Sequence, residues 1–262
     1  MSSQKESTAR TLLVALLVCL VCSVFVAGAA VALKPLQLEN RQLDKQRSIL
    51  AIAGLGTPDM SAKQVQALYA ERISARLVDL NSGAFTSGQD ASSFDPLQAA
   101  KDPARSDALP AAQDIAAIKR RERLSSVYLV EQDGQLQTLV LPIRGYGLWS
   151  TLYGFIALKG DLNTVAGLGF YQHGETPGLG GEVDNPKWKA LWPGKTLFNE
   201  QGELVVQVLK GGVDPQSPQA SHQVDALAGA TLTSKGVDNL LHFWLGQNGF
   251  GPLLANLKKE AL

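Results

Sequence analysis

The feature that most constrains this chain is an uninterrupted apolar run close to its N-terminus. Residues 11–33 include no charged side chain. A helix of that length is about 35 Å long, which is enough to cross the hydrocarbon core of a bilayer. We therefore predict a short tail over 1–10 and a transmembrane helix over 11–33.

A cleaved signal peptide is the alternative interpretation of this run. Residues 27–29 and 30–32 resemble small-residue cleavage sites, but the apolar region of a signal peptide is usually only about 7–15 residues long. The length therefore favours an uncleaved anchor. Cys19 and Cys22 lie in the same run with C-x-x-C spacing. That spacing is typical of redox or metal chemistry, whereas inside an apolar helix such residues act as small apolar side chains.

The charges of the chain bear on its partners and its topology. Lys and Arg number 24, as do Asp and Glu, so no nucleic-acid partner is indicated. The positive-inside rule mildly favours a cytoplasmic large domain, because more basic residues follow the run than precede it. They are Lys5 and Arg10 before the run, and Lys34, Arg41, Lys45 and Arg47 after it.

The C-terminal half has the pattern of an antiparallel sheet. Residues 127–130 and 136–141 are short apolar runs on either side of Asp133-Gly134, a strong hairpin signal. The predicted fold class is α+β, with the sheet domain over 126–262. Further elements are predicted as strands over 152–158, 165–170 and 204–209, a short helix over 186–192, and a last helix over about 235–247.

The intervening residues, 34–125, predict a helical segment with a long loop. Ser61 and Gln64 form a capping-box sequence, and the apolar face of the helix that follows extends to Leu77. The other predicted elements are a helix over 34–56, a loop over 81–109, a short helix around 114–118 and a solvated run of charges over 119–123.

A stretch of small and hydroxyl residues precedes the last helix. Residues 225–236 read Asp-Ala-Leu-Ala-Gly-Ala-Thr-Leu-Thr-Ser-Lys-Gly. Thr233 or Ser234 lies where a helix N-cap is expected. A helix N-terminus offers free N–H groups and a partial positive charge, which suit a phosphate group. A plain Thr/Ser cap is the alternative interpretation.

A second stretch, residues 173–182, follows a predicted strand directly. Half of its residues are Gly or Pro, so its backbone can come close to a flat ligand; a turn-rich loop is the alternative. The chain has neither a dinucleotide fingerprint nor a P-loop, so nicotinamide-dinucleotide and ATP sites are not indicated. His173 has no second His or Cys at metal-ligand spacing, and we predict no metal site.

The stretch 225–236 resembles the flavinylation motif of the FMN-binding domain family, Ser/Thr-Gly-Ala-Ser/Thr-x-Thr. The matching residues are Gly229, Ala230, Thr231 and Thr233, whereas Ala228 stands where the family has a hydroxyl residue. The resemblance implies a covalent FMN, joined by a phosphoester bond to Thr233 and attached there by an FMN transferase. No catalytic residue is implied, because the redox chemistry belongs to the cofactor.

Two further motifs are similar to those of membrane-bound members of this family. His-x-Glu-Thr-Pro-Gly-Leu-Gly begins at His173, and Gly-Tyr-Gly-Leu-Trp-Ser occupies 145–150. Lys210 begins a Lys-Gly-Gly sequence, and the resemblance places it towards the phosphate. The implied contacts with the flavin ring are Trp149, Glu175, Thr176, Leu179 and Gly180.

The N-terminal half distinguishes between relatives. Residues 34–40, 44–50 and 53–55 resemble the start of the NqrC family, whose members belong to the Na⁺-translocating NADH:quinone oxidoreductase. That resemblance implies an electron relay from NADH towards quinone in a six-subunit complex of the bacterial inner membrane. It also implies a periplasmic domain, against the charge distribution. The alternatives are a relay like the flavin-carrying RnfG protein of the Rnf complex, and a non-redox membrane-tethered scaffold or sensor, which only Ala228 favours.

Overall fold

The structure, a computed structural model, describes residues 7–86, 90–91 and 94–260. The first six residues of the predicted tail over 1–10 therefore lie outside the described residues. The chain divides into two units, Met1–Asp44 and Lys45–Leu262.

The first helix, α1 (Thr8–Ile52), includes the whole predicted membrane span. Its side chains are exposed over that span, and its length and apolar composition suffice to cross a membrane. The helix ends at Ile52, close to the end that Gly54 and Gly56 predict. Gly54 adopts φ +72°, and the Leu55 N–H donates to the Leu50 carbonyl at 2.9 Å, which is a glycine-dependent helix end.

Among the described residues, the second unit is built on a six-stranded antiparallel sheet with the order β2-β1-β5-β6-β7-β8. The predicted α+β class is therefore confirmed. The strands are β1 (Ser74–Asp79), β2 (Phe85–Thr86), β3 (Ser106–Ala108), β4 (Arg120–Glu122), β5 (Leu124–Gln132), β6 (Gln135–Tyr146), β7 (Thr151–Lys159), β8 (Val165–Gln172), β9 (Gln207–Leu209) and β10 (Gln223–Asp225). The later helices are α2 (Ala62–Arg72), α3 (Pro96–Lys101), α4 (Pro186–Lys189), α5 (Thr231–Leu245) and α6 (Gly251–Glu260).

Both faces of this sheet are covered. Along β6, Leu139 and Leu141 point into the larger core, which contains Leu240 and Trp244 of α5. Val140 between them points to the opposite face, where it packs in a smaller cluster with Ile49 at the end of α1. This alternation follows from the two-residue period of a strand. The sheet is therefore the middle of three layers.

The hairpin predicted at Asp133-Gly134 joins β5 to β6. Both turn residues have positive φ, at 53° and 74°, which is the geometry of a tight two-residue turn and explains the Asp-Gly sequence. The strands predicted over 127–130, 136–141, 152–158 and 165–170 all lie inside β5–β8.

The predicted division between 34–125 and 126–262 does not match the structure. β1 pairs with β5 over six residues, so the sheet begins well before 126, and the compact unit begins at Lys45. The apolar face predicted as one helix up to Leu77 belongs to two elements, because α2 ends at Arg72 and Ile73 is already extended. The spacing of Tyr69, Ile73 and Leu77 fits a helix as well as this helix-to-strand change.

Three smaller predictions are also corrected. The residues around 114–118 form turns rather than a helix. The charge run over 119–123 is not a solvated face, because Glu122 is buried and pairs with Arg144 of β6. Of the strand predicted over 204–209, only β9 forms, and it pairs in parallel with β10.

Candidate functional site

The site lies at the N-terminal turn of α5, which begins earlier than predicted. Its N-cap is Ala230, with no side-chain cap, so the prediction that Thr233 or Ser234 caps the helix is wrong. The Ser234 Oγ instead accepts the Leu227 N–H at 2.9 Å and donates to the Ala230 carbonyl at 3.0 Å. Ser234 therefore fixes the tight turn that leads into the helix.

Two glycines let this turn of α5 lie against the end of β6. A Cβ on Gly236 would be 2.4 Å from the Tyr146 carbonyl oxygen, and one on Gly145 would be 2.6 Å from the Leu240 Cβ. Any larger residue would push the helix away. The close approach brings Thr233 next to the turn that joins β6 to β7.

Glu175 connects that turn to Thr233. Its Oε1 accepts the N–H groups of Leu148, Trp149 and Ser150 at 3.0–3.1 Å, and its Oε2 accepts the Thr233 hydroxyl at 2.7 Å. Burial alone would raise the pKa of the Glu175 carboxyl. The bond from Thr233 and the three N–H donors outweigh burial, so the pKa of Glu175 lies below its ordinary value. Glu175 is therefore an anion in this site.

Two more glycines fit tightly around this carboxylate. A Cβ on Gly147 would be 2.6 Å from the Glu175 Oε1. A Cβ on Gly180 would be 2.5 Å from the Thr233 Oγ1 and 2.6 Å from the Glu175 Oε2. The backbone at Gly180 therefore covers the hydrogen bond directly, and Thr233 is 0% exposed.

His173 and Gly174, just before Glu175, make hydrogen bonds that fix the loop that carries it. The His173 Nε2 and the Asp184 Oδ2 are 2.7 Å apart, and the His173 Nδ1 accepts the Glu175 N–H at 3.2 Å. The Gly174 N–H donates to the Ser150 Oγ at 2.6 Å. His173 and Ser150 belong to the two motifs at 173–180 and 145–150, but their spacing in the sequence does not reveal these roles.

Two apolar residues whose backbone lies beside this buried polar pair have exposed side chains. Trp149 is 66% exposed and Leu179 is 45% exposed. Leu179 lies over the turn before α5, since a Cβ on Gly229 would be 3.2 Å from its Cδ2. Large exposed apolar side chains beside a buried polar pair are typical of a surface that a ligand or a partner covers.

The remaining predicted site residues differ in what they contact. Thr176 is exposed, and its carbonyl accepts the N–H groups of Leu179 and Gly181, so it shapes the loop. Thr231 is exposed at the first turn of α5. Lys210 is exposed just after β9, and among the described residues no hydrogen bond or ion pair joins it to Glu175 or Thr233.

The residues present fit an FMN. Thr233 supplies a hydroxyl, the uncapped first turn of α5 supplies N–H groups for a phosphate, and Trp149 and Leu179 supply apolar surface for a ring. Ala228 stands where the family motif has Ser or Thr, and it is exposed. The absence of a hydroxyl there therefore leaves no buried polar group without a partner.

Comparison with known proteins agrees with this geometry. A family model described as an FMN-binding domain matches residues 147–246. This range includes the turn at Leu148, the loop of Glu175 and the first turn of α5. Residues 147–246, which contain this site, therefore form an FMN-binding domain.

Relatives that match almost the whole chain identify its family. The NqrC protein of the Na(+)-translocating NADH-quinone reductase of Pseudomonas aeruginosa is 76% identical over 257 residues, covering 98% of each chain. That of Yersinia pestis is 53% identical over 98% of this chain and 96% of its own. A crystal structure of Shewanella oneidensis NqrC aligns with a TM-score of 0.74 and 37% identity, over 82% of this chain and 96% of that one. The chain belongs to the NqrC family of the Na⁺-translocating NADH-quinone reductase.

Proposed function

We propose that this chain is the component of a Na⁺-translocating NADH-quinone reductase that carries a covalent FMN on Thr233 and relays electrons from NADH towards quinone. The observation that supports the attachment point is the hydroxyl of Thr233, held on the first turn of α5 beside exposed apolar side chains. The relatives from Pseudomonas aeruginosa and Yersinia pestis are both named for the Na⁺-translocating NADH-quinone reductase, which favours this complex over the Rnf-type relay.

The roles of the site residues follow from where they lie. Trp149 and Leu179 offer apolar surface to the ring, and Gly180 allows the backbone to come close to it. Glu175 and Thr176 lie on the same loop and complete the proposed ring contacts. Lys210 is the proposed partner of the phosphate. When bound, FMN supplies the electron transfer, and the protein orients it and sets its potential.

The proposed setting is a complex in the bacterial inner membrane. α1 is the membrane anchor, the sheet domain lies in the periplasm, and the other components of a six-subunit complex supply the electron donor and acceptor. An FMN transferase attaches the flavin. The anchor contains no charged residue over 11–33, so we expect ions to cross through other components of the complex.

Thr233→Ala tests the attachment point, with Thr231→Ala as the matched control in the same turn. Each full-length chain is produced with an FMN transferase, and intact mass and peptide mapping are measured. We expect the mass of FMN less one water on the peptide that contains Thr233 in the wild type and in Thr231→Ala, and none in Thr233→Ala. Full flavin retention in Thr233→Ala contradicts the assignment. An unmodified wild type would favour the scaffold or sensor function.

A further inference from the structure

We propose that Glu175 and Thr233 form a latch that keeps the site closed before flavin is attached, and that attachment proceeds through an open form in which their hydrogen bond is broken. The proposal rests on the proposed function, because it needs Thr233 to be the acceptor of the flavin. It concerns the unloaded chain, in which Thr233 still has its hydroxyl.

The closed form leaves no path to the reacting atom. Thr233 is 0% exposed, and the backbone at Gly180 is so close that a Cβ there would be 2.5 Å from the Thr233 Oγ1. Transfer of a phosphoryl group needs the attacking oxygen in contact with phosphorus and in line with the leaving group. The closed arrangement provides room for neither, so an attaching enzyme must meet a different form.

The chemistry of attachment explains why the latch acts only once. The donor is a flavin nucleotide whose phosphate carries a nucleoside monophosphate as the leaving group. The bond from the Thr233 Oγ1 to phosphorus forms, the bond from phosphorus to the leaving group breaks, and the hydroxyl proton passes to a base of the transferase. The Oγ1 then has no hydrogen, so it cannot donate to the Glu175 Oε2 at 2.7 Å. Two acceptor oxygens at that distance repel each other, and the latch cannot close again.

The structure also indicates which part moves. Glu175 is held by three N–H donors from the turn at 148–150, and α5 is packed against β6, so both ends of the latch are anchored. The turn from Thr176 to Gly181 is held mainly by its own bonds, in which the Thr176 carbonyl accepts from Leu179 and Gly181 at 3.1 and 2.9 Å. That turn carries Gly180, so opening it, with loss of the Gly181 bond, uncovers Thr233, and the Thr233 hydroxyl then exchanges its bond to Glu175 for bonds to water.

The first test measures how fast FMN is attached to the full-length chain in detergent, with a purified transferase and excess flavin donor. Hydrogen bonds to a charged group are worth enough that their loss changes a closed-to-open equilibrium by about tenfold or more. We expect attachment to Glu175→Ala to be about tenfold faster than to the wild type, and attachment to Glu175→Gln, whose neutral amide can still pair with the Thr233 hydroxyl, to have a rate between the two. Slower or equal attachment in both variants overturns the latch, and slower attachment would show that Glu175 assists the reaction.

The second test needs no flavin and so separates the latch from the proposed function. Amide hydrogen exchange is measured on the unloaded full-length chain in Thr233→Val, which loses the hydroxyl but keeps the shape, and in Thr233→Ser, which keeps the hydroxyl. We expect the N–H of Gly181 to exchange about tenfold faster in Thr233→Val and at the wild-type rate in Thr233→Ser. Equal exchange in all three proteins overturns the latch. If the three proteins show this exchange pattern but the wild type accepts no FMN on Thr233, only the proposed function is refuted.

Discussion

Glu122 and Arg144 form a buried ion pair next to α5, and breaking it gives a prediction whose size follows from the structure. Glu122 is 1% exposed and Arg144 is 8% exposed. The two Arg144 Nη atoms donate to the two Glu122 carboxylate oxygens at 2.9 and 2.5 Å, and the guanidinium lies 5.0 Å from the centre of the Trp244 ring. The geometry is therefore bidentate and excluded from water.

Removing one partner of such a pair leaves the other charge buried and uncompensated, which costs about 3–5 kcal/mol. We therefore expect Glu122→Ala to lower the free energy of unfolding of the sheet domain by about 3–5 kcal/mol. With a urea m-value of about 2 kcal/mol/M, the midpoint falls by about 2 M. Replacing both residues with apolar ones of similar volume should restore most of the loss, because no charge is then left buried.

The assay is urea unfolding of the unloaded full-length chain in detergent, followed by tryptophan fluorescence. Glu131→Ala is the matched control, because Glu131 pairs with Arg76 at 3.9 Å on an exposed surface. Such a pair contributes about 0–1 kcal/mol. A loss below about 1 kcal/mol in Glu122→Ala, or equal losses in the two variants, would refute the reasoning.

Three further predictions concern the site itself. Gly180→Ala forces a methyl group against the Thr233 Oγ1 and the Glu175 Oε2, so thermal unfolding should show a loss of about 1–3 kcal/mol, and an unchanged melting temperature would contradict the contact. The pKa of the Glu175 carboxyl is lower in the folded than in the unfolded chain. The stability that this carboxylate contributes is therefore fully present above its unfolded pKa and is lost as the pH falls through its folded pKa. Acid unfolding of Glu175→Gln should lack this part of the pH dependence. With FMN attached, Trp149→Ala and Glu175→Gln should keep the flavin but shift its potential or absorption, and unchanged titrations in both would count against ring contact.

The main sheet could be predicted because its signals are local. β5–β8 are rich in apolar and β-branched residues, and the Asp133-Gly134 turn needs only two residues in sequence. The start of α5 could not be predicted in this way, since Ala230 caps it with no side chain. Tertiary contacts fix that start, above all the close approach of Gly236 to the Tyr146 carbonyl, and a capping rule does not include them.

The partners in the site are also distant in the sequence. Glu175 is 58 residues from Thr233 and 25–27 from its N–H donors, so no spacing rule connects them, and only the resemblance to a family identifies Glu175. The local pattern assigns Glu122 to a solvated run because its partner, Arg144, is 22 residues away on another strand. A charged residue that is exposed in one structure can be a buried ion-pair partner in another, and a local sequence pattern does not show which.

The arrangement of the site gives a reason for a covalent link. The polar groups nearest to Thr233 are already paired with one another through Glu175, and the surface left for a ring is exposed, with Trp149 at 66%. Tight small-molecule sites bury most of their ligand and direct several polar groups at it. A flavin held only by exposed side chains such as Trp149 and Leu179 would have few of these contacts and would dissociate readily. The proposed phosphoester would hold the flavin covalently, so these side chains would need only to orient the ring. The exposed edge of the ring would then stay accessible for electron exchange with other components of the complex.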